Sequence, residues 1–485
     1  MTSIKQPKGL YYLFFTELWE RFGFYTLQTI LILYMTKGLL MSDNKAYLLY
    51  GAFSAMIYFT PVIGGYLADR YLGFQSAIIL GGVLLSLGYL IVAIPNEFLF
   101  FFGLSTLIVA NGFFKPNVSS ILGKIYHEDD PRRDGGFTLF YMGINIGALI
   151  PPIFTGALVA AYGWHAGFLL AAAGMIVGLI VFIVGRPKFK GCGTVPQLSP
   201  LRSNKRNIFI VLLTIGIVAS VALFHMLLLF PEESDLILGI ATFFIVLFVI
   251  YFLFKEKLAQ RNKMIACLIL ILISLGFWAL YNQTYTSLML FADRNMSKQF
   301  LGFTIDAEFT QFFNPFFIVI LSPILSRIWI YLERKKSHPS TPTKFSLGIL
   351  MMSLGFFLLG IAGKYFGYNG ETSPWWLSTS YLLQTIGELL ISPIGLAMIT
   401  TLSPKHLVGM MMGVWFLTQS AAFAIGGGLA TLSSVPEEMS ATLALGIYSK
   451  AFLIYGTISL VLAVISFFLV PFLKRLIQPK NRPLV

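Results

Sequence analysis

Apolar runs of roughly twenty residues recur from one end of the chain to the other, separated by short polar or basic stretches, and about that length of helix spans the hydrocarbon of a bilayer. On that ruler the pattern predicts fourteen spans, at 11–36, 46–67, 75–95, 98–123, 137–161, 165–185, 207–230, 236–254, 264–292, 302–330, 345–364, 375–402, 407–433 and 449–474. The expected class is therefore an all-α integral membrane protein. Met1–Leu10 carries Lys5 and Lys8 and runs straight into the first span without a small-residue cleavage pattern, so no cleaved signal peptide is expected.

Composition sharpens this picture by exclusion. At 485 residues the chain is long enough for three soluble domains, but 57% hydrophobic and 11% charged residues cannot clothe three water-facing surfaces. A mean hydropathy of +0.79 with 46 Phe fits lipid-facing helices and excludes a soluble enzyme. Cys192 and Cys267 allow at most one disulfide, so this is no disulfide scaffold.

The net charge of +13 is not gathered in one patch, which argues against nucleic acid as a partner. The basic residues recur instead between spans. With the N-terminus placed in the cytoplasm, only Lys37, Lys45, Arg294, Lys298, Lys364 and Lys450 fall outside, and Arg21 and Lys115 fall within spans. The rest lie in cytoplasmic loops, so both termini are expected there. The richest basic stretches (Arg186, Lys188, Lys190, Arg202, Lys205 and Arg206, then Lys255, Lys257, Arg261 and Lys263) bracket 207–230 and 236–254. With Pro231-Glu232-Glu233-Ser234-Asp235 as their turn, these two segments read as an inserted helical hairpin. Setting it aside leaves six spans plus six, the arithmetic of a transporter with two related halves. The expected domains are 1–190, an inserted hairpin 191–263, and 264–485.

Ionisable side chains within spans are costly, at least about 2.5–3.5 kcal/mol each on insertion scales, and so point to function. Here they are Glu17, Glu20, Arg21, Lys115 and Glu388. Glu17, Glu20 and Arg21 share one face of the first span, continued by Tyr25 and Gln28, with Arg21 about 15 Å along it and near the midplane. The plainer reading is that acids and bases merely neutralise one another and staple helices together. Against it, Glu388 adds a third acid facing two cations, which leaves a surplus able to load or release a proton; the residues alone do not say which carboxylate does so.

Pro61, Pro116, Pro151-Pro152, Pro315, Pro323 and Pro393 are expected to interrupt spans, some as simple packing kinks and some beside polar residues where a cavity tolerates freed backbone groups. Tyr58, Tyr141, Trp278 and Trp415 fall inside spans, away from the interfacial belt, and with Asn145, Asn282, Gln283 and Asn314 supply the walls of a cavity. No G-x-x-x-x-G-K-[ST] and no H-E-x-x-H occurs, and His127, His165, His225, His338 and His406 are scattered. No catalytic residue, metal or cofactor is expected, and an ion gradient is the remaining source of energy.

Glu17-Leu-Trp-Glu20-Arg21-Phe22-Gly-Phe24-Tyr25 resembles the E-x-x-E-R-F-x-Y-Y motif of the proton-dependent oligopeptide transporters, a branch of the major facilitator superfamily. Gly64-Gly65-Tyr66-Leu67-Ala68-Asp69-Arg70 with Gly73 resembles the superfamily's loop motif after the second span, and Phe140-Tyr141-Met-Gly-Ile-Asn145-Ile-Gly147 resembles the family's fifth-span signature. The similarity continues through Phe114-Lys115-Pro116-Asn117, Phe277-Trp278, Asn314-Pro315, Gly387-Glu388-Leu and Trp415-Phe416-Leu417, and so covers nearly the whole chain. It is strongest toward the compact bacterial dipeptide and tripeptide permeases.

The resemblance implies a major facilitator fold of six plus six spans, with the hairpin at 207–254 matching two extra helices common in bacterial members. It assigns Glu17, Glu20 and Arg21 to proton coupling, Arg21 and Lys115 to the peptide's carboxylate, and Glu388 to its amino end. Tyr25, Tyr58, Asn145, Trp278, Asn314 and Trp415 would line the pocket, with Asn282 among the substrate-binding residues. Two positions depart from the pattern. Phe24 replaces the first Tyr of the motif pair, and Asn282 stands where many members carry an acid, which excludes a titrating role there.

The expected function is proton-coupled symport of di- and tripeptides across the cell (inner) membrane by alternating access, with the lipid bilayer as surroundings and a monomer as the working unit. A same-fold carrier of another small solute such as nitrate, a membrane enzyme and a non-transporting sensor are the rivals.

Overall fold

The computed structural model describes residues 5–127, 130, 132–189, 191–197, 199–202, 205–404, 407–436 and 439–477. The first four residues, Lys190 and His406 of the sequence reading lie outside them. In chain order the helices are α1 Lys8–Leu33, α2 Asp43–Leu67, α3 Phe74–Val92, α4 Glu97–Lys124, α5 Arg133–Leu149, α6 Pro151–Tyr162, α7 Trp164–Gly185, α8 Arg206–Leu229 and α9 Pro231–Lys255. There follow α10 Leu258–Tyr281, α11 Ser287–Asn295, the two-stranded hairpin β1 Gln299–Phe300 and β2 Phe303–Thr304, α12 Phe313–Arg334, α13 Thr341–Tyr365, α14 Pro374–Leu402, α15 Val408–Ala430 and α16 Ala441–Ile477.

Among the described residues twelve helical segments are long and apolar enough to cross a membrane. α1 is long enough at 26 residues but is not one of them, because every 18-residue stretch of it contains Glu17, Glu20 and Arg21. α9, at 25 residues and with no charged side chain from Leu236 to Phe254, is also of crossing length.

The chain divides into two compact units, Met1–Leu40 with Met56–Ser234, and Met41–Ala55 with Asp235–Val485. In the first, α1 packs on α5, α6 and α7, α3 packs on α4 and α7, and α8 lies along α4. In the second, α10 packs on α13, α14, α15 and α16, α13 on α14 and α16, and α12 on α14. Helices in lipid gain little from apolar burial and rely on close backbone approach. Gly64 on α2 shows this, since a Cβ there would collide with the Gly112 carbonyl on α4.

Three local outcomes differ from the sequence reading. Pro231–Asp235, expected as a turn, is the first turn of α9, since proline at the first helical position lacks only a donor that would be unsatisfied anyway, and Glu232 and Glu233 complement the helix dipole. The span expected from 302 starts only at Phe313, because Leu301 (φ 53°) and Gly302 (φ 83°) adopt the left-handed geometry of a tight hairpin turn. Pro61, Pro116, Pro323 and Pro393 lie inside continuous helices, and Pro315 sits in the first turn of α12, where its missing N–H costs nothing. Only Pro151-Pro152 marks a division, between α5 and α6.

Candidate functional site

The predicted site residues form two groups, one in each unit. In the first unit α1 is buried almost all round, and Glu17, Glu20 and Arg21 are each under 5% exposed. Their i, i+3 and i+4 spacing brings the charges together. Arg21 donates through Nε and Nη2 to the two carboxylate oxygens of Glu20, both at 2.5 Å, while Glu17 stands 3.7 Å from Nε. Glu20 is thus held in a planar two-point ion pair, and Glu17 by a longer ionic contact that leaves its oxygens room for a proton.

Lys115 does not complete this cluster as an ion pair. Among the described residues no carboxylate oxygen lies within the 4.0 Å ion-pair distance of its ammonium. The ammonium lies over the Tyr58 ring, 4.6 Å from the centroid, and 6.0 Å from that of Phe24. Phe24 also carries the Arg21 guanidinium at 4.6 Å. The departure from the family motif at Phe24 therefore leaves an aromatic face that serves both cations, and a hydroxyl is not what that service needs. Tyr25 and Tyr58 are half-buried, Asn145 is buried and donates to the Tyr141 carbonyl at 2.9 Å, and Tyr141 itself is 46% exposed. Gly147 lets α5 approach α1 closely, since a Cβ there would press on the Leu18 carbonyl and on Arg21 Cβ.

In the second unit Glu388 on α14 accepts a 2.7 Å hydrogen bond from Asn314 Nδ2 on α12, whose amide also reaches Thr385 Oγ1 at 3.1 Å. The Tyr281 hydroxyl is a further donor to Glu388. Glu388 and Asn314 are half-buried, so the carboxylate is positioned by neutral donors and keeps lone pairs for a cation. Trp278 and Trp415 are buried, the latter with its six-membered ring against Gly395.

The chain breaks between α10 and α11 in a 3₁₀ turn, Asn282–Tyr285, with no proline in it. Gln283 donates to the Gly426 carbonyl at 2.9 Å and receives the Ser287 hydroxyl at 2.8 Å, and Asn282 donates to the Phe423 carbonyl at 3.4 Å. Side chains thus draw the turn toward α15 where helix would otherwise continue. Among the described residues Trp278 Nε1 and Asn282 Oδ1 are buried without a hydrogen-bond partner, and such atoms are places where a ligand's polar group gains most.

Two features escaped the sequence reading. One is the pair of donors that hold Glu388, Asn314 having been assigned only to a pocket wall. The other is the ion pair of Asp43 on α2 with Arg294 on α11, at 2.6 and 2.8 Å, with the Val435 backbone N–H also donating to Asp43 at 3.0 Å. Arg294 had entered only as a loop charge. Among the described residues no three His, Cys, Asp or Glu side chains stand close enough to hold a metal ion.

Residues 75–449 match the sequence profile described as the POT family. The chain is 40% identical over 479 residues to dipeptide and tripeptide permease B of Salmonella typhimurium strain LT2, covering 98% of this chain and 97% of the relative. It is also similar to a crystal structure of peptide transporter POT in complex with sulfate (33% identity, TM-score 0.84, 98% and 97% of the two chains). A further likeness is to a POT family transporter in complex with 5-aminolevulinic acid (30% identity, TM-score 0.84, 97% and 98%).

Proposed function

Since the chain belongs to the POT family, we propose that it carries di- and tripeptides into the cell by proton-coupled symport, working by alternating access. It is a multi-pass membrane transporter with a major facilitator fold and not an enzyme. The observation that carries the reading is the buried Glu17, Glu20 and Arg21 cluster on a membrane helix, which no structural economy requires and which a proton carrier needs.

Arg21 and Lys115 bind the peptide's carboxylate by charge-assisted hydrogen bonds, and Glu388, aimed by Asn314, binds its ammonium. Tyr25, Tyr58, Asn145, Trp278, Asn282, Asn314 and Trp415 contribute the remaining substrate contacts. 5-Aminolevulinic acid, bound by the relative described above, bears one amine and one carboxylate, which supports recognition by chain ends. Glu17 and Glu20 exchange the coupled proton. No cofactor takes part: a proton moved inward at 100 mV supplies about 2.3 kcal/mol, enough for roughly fiftyfold accumulation. The working unit is a monomer of fourteen spans with both termini cytoplasmic, made of halves 1–190 and 264–485 around an inserted segment 191–263.

Uptake of a labelled dipeptide into vesicles containing the purified protein, with and without an inward proton gradient, tests the reading. Accumulation only with the gradient, competed by tripeptides and not by nitrate, is expected. Gradient-independent binding without accumulation would establish a sensor, and competition by nitrate a different cargo.

A further inference from the structure

A cavity of about 360 Å³ lies between α8 and the facing sides of α2 and α4, within the first unit. Its walls are almost entirely hydrocarbon; of its three hydroxyl side chains, Thr60 and Ser220 are already spent on the Ile108 and Gly216 carbonyls at 2.8 and 2.7 Å, and Tyr71 lies at the Phe209 end. No polar ligand is called for. Gly216 holds the space open on the α8 side, since a Cβ there would meet nothing within 4 Å. Only 6% of the apolar stretch of α8 is buried, and Leu212, which lines the cavity, is 61% exposed. The cavity therefore opens on the lipid-facing side of a membrane helix, where hydrocarbon chains are the surrounding medium.

From Phe209 to Phe224 the lining follows α8 for about 22 Å, enough to take an acyl chain of one leaflet of a hydrocarbon core roughly 30 Å thick. Its Phe209 end is basic. The Phe209 ring lies 5.8 Å from that of Tyr71, over which the Arg70 guanidinium sits at 5.8 Å, and exposed Lys205 and Arg206 form the start of α8 one turn before Phe209. Ser199 donates to the Tyr71 carbonyl at 2.5 Å and so folds the preceding linker onto the end of α2. Three cations thus stand at this mouth, with Asp69 as the neighbouring acid.

We propose that this groove holds one acidic phospholipid, an acyl chain along α8 and the phosphate and headgroup against Arg70, Lys205 and Arg206. Basic side chains at a membrane surface attract acidic lipid, and an apolar slot beneath them turns that attraction into a site with a fixed number of occupants. The bound chain fills the seam between α8 and the helices it leans on.

Delipidated full-length protein titrated with phosphatidylglycerol or with phosphatidylethanolamine, followed by native mass spectrometry, tests this. One phosphatidylglycerol per chain should survive at concentrations where phosphatidylethanolamine is lost, and the soluble headgroup glycerophosphoglycerol should not bind. Gly216→Phe, which fills the slot, should remove the tight adduct. Lys205→Gln with Arg206→Gln should weaken phosphatidylglycerol about thirtyfold and leave phosphatidylethanolamine unchanged. Equal retention of the two lipids by the wild type, or an undiminished adduct in Gly216→Phe, overturns the proposal; tight binding of the free headgroup reassigns the site to soluble phosphate esters. Should Gly216→Phe not fold, the exposed Lys205 and Arg206 pair decides alone, since lipid preference unchanged in that variant also refutes it.

Discussion

The Lys115 ammonium stands over the Tyr58 ring, 4.6 Å from its centroid, and not beside a carboxylate. A cation held by an aromatic face is not tied up in an ion pair with an acid. It stays available to a substrate carboxylate, whereas a lysine locked into an ion pair must first be released.

Replacing Tyr58 by Leu should therefore weaken dipeptide uptake about tenfold to thirtyfold, and replacing it by Phe should retain most of it, because the contribution of about 2 kcal/mol from a desolvated cation over a ring belongs to the face. Concentration dependence of uptake in vesicles is the measurement, and equal losses in the two variants would assign the effect to the hydroxyl. Lys115→Ala should abolish gradient-driven uptake altogether.

Glu388→Gln should cost roughly tenfold to hundredfold in affinity for free-amino dipeptides and much less for their N-acetylated counterparts, since only the former present an ammonium. Competition binding with the two peptide classes separates these outcomes. A common loss for both would remove the amino-end role and leave Glu388 a partner of Asn314 and Tyr281 only.

Glu20→Gln should end accumulation driven by a pH gradient while counterflow, with peptide on both sides of the membrane, survives. The amide keeps the shape and one of the two acceptors that Arg21 uses, but exchanges no proton. If Glu20→Gln and Glu17→Gln both accumulate peptide like the wild type, coupling lies elsewhere, with Glu388 the first remaining carboxylate.

Asn282→Asp would set a carboxylate against the Phe423 carbonyl that now accepts the Asn282 amide, exchanging an attraction for a repulsion in a fully buried place. A lower thermal midpoint and a displaced pH optimum are expected, with transport retained. An unchanged midpoint would mean that the turn repacks around the charge.

Asp43→Ala should destabilise by about 1–3 kcal/mol, because Arg294 loses both carboxylate oxygens and keeps its charge with the Tyr448 hydroxyl, at 3.1 Å, as its remaining acceptor. Adding Arg294→Met should recover part of that loss. Thermal unfolding of the two single variants and the double one gives the coupling, and strictly additive losses would show that the pair does not act as a unit.

Most of the apolar spans, the charged face of α1 and the proline-marked division at Pro151 were legible because each leaves a local mark: an apolar run, an i, i+4 spacing, an absent donor. The break after Tyr281 was not, since it is made by Asn282 and Gln283 reaching carbonyls on α15, more than 140 positions away. That Lys115 lies over an aromatic face was not legible, because charges invite counting by sign and a ring adds nothing to such a count. Asp43 and Arg294 lie 251 residues apart, and nothing around either one points to the other.

The three charges that keep α1 out of the set of freely membrane-crossing helices also bear on its biogenesis. On leaving the ribosome α1 meets the translocon carrying Glu17, Glu20 and Arg21, each of which opposes partition into lipid. The helices that enclose it, α5, α6 and α7, are synthesised only a hundred residues later or more. The first helix made is therefore among the last to be settled, waiting at the translocon or in its lee until its neighbours arrive. A nascent chain halted before α5 should leave α1 extractable by alkali, and one halted beyond α7 should hold it fast.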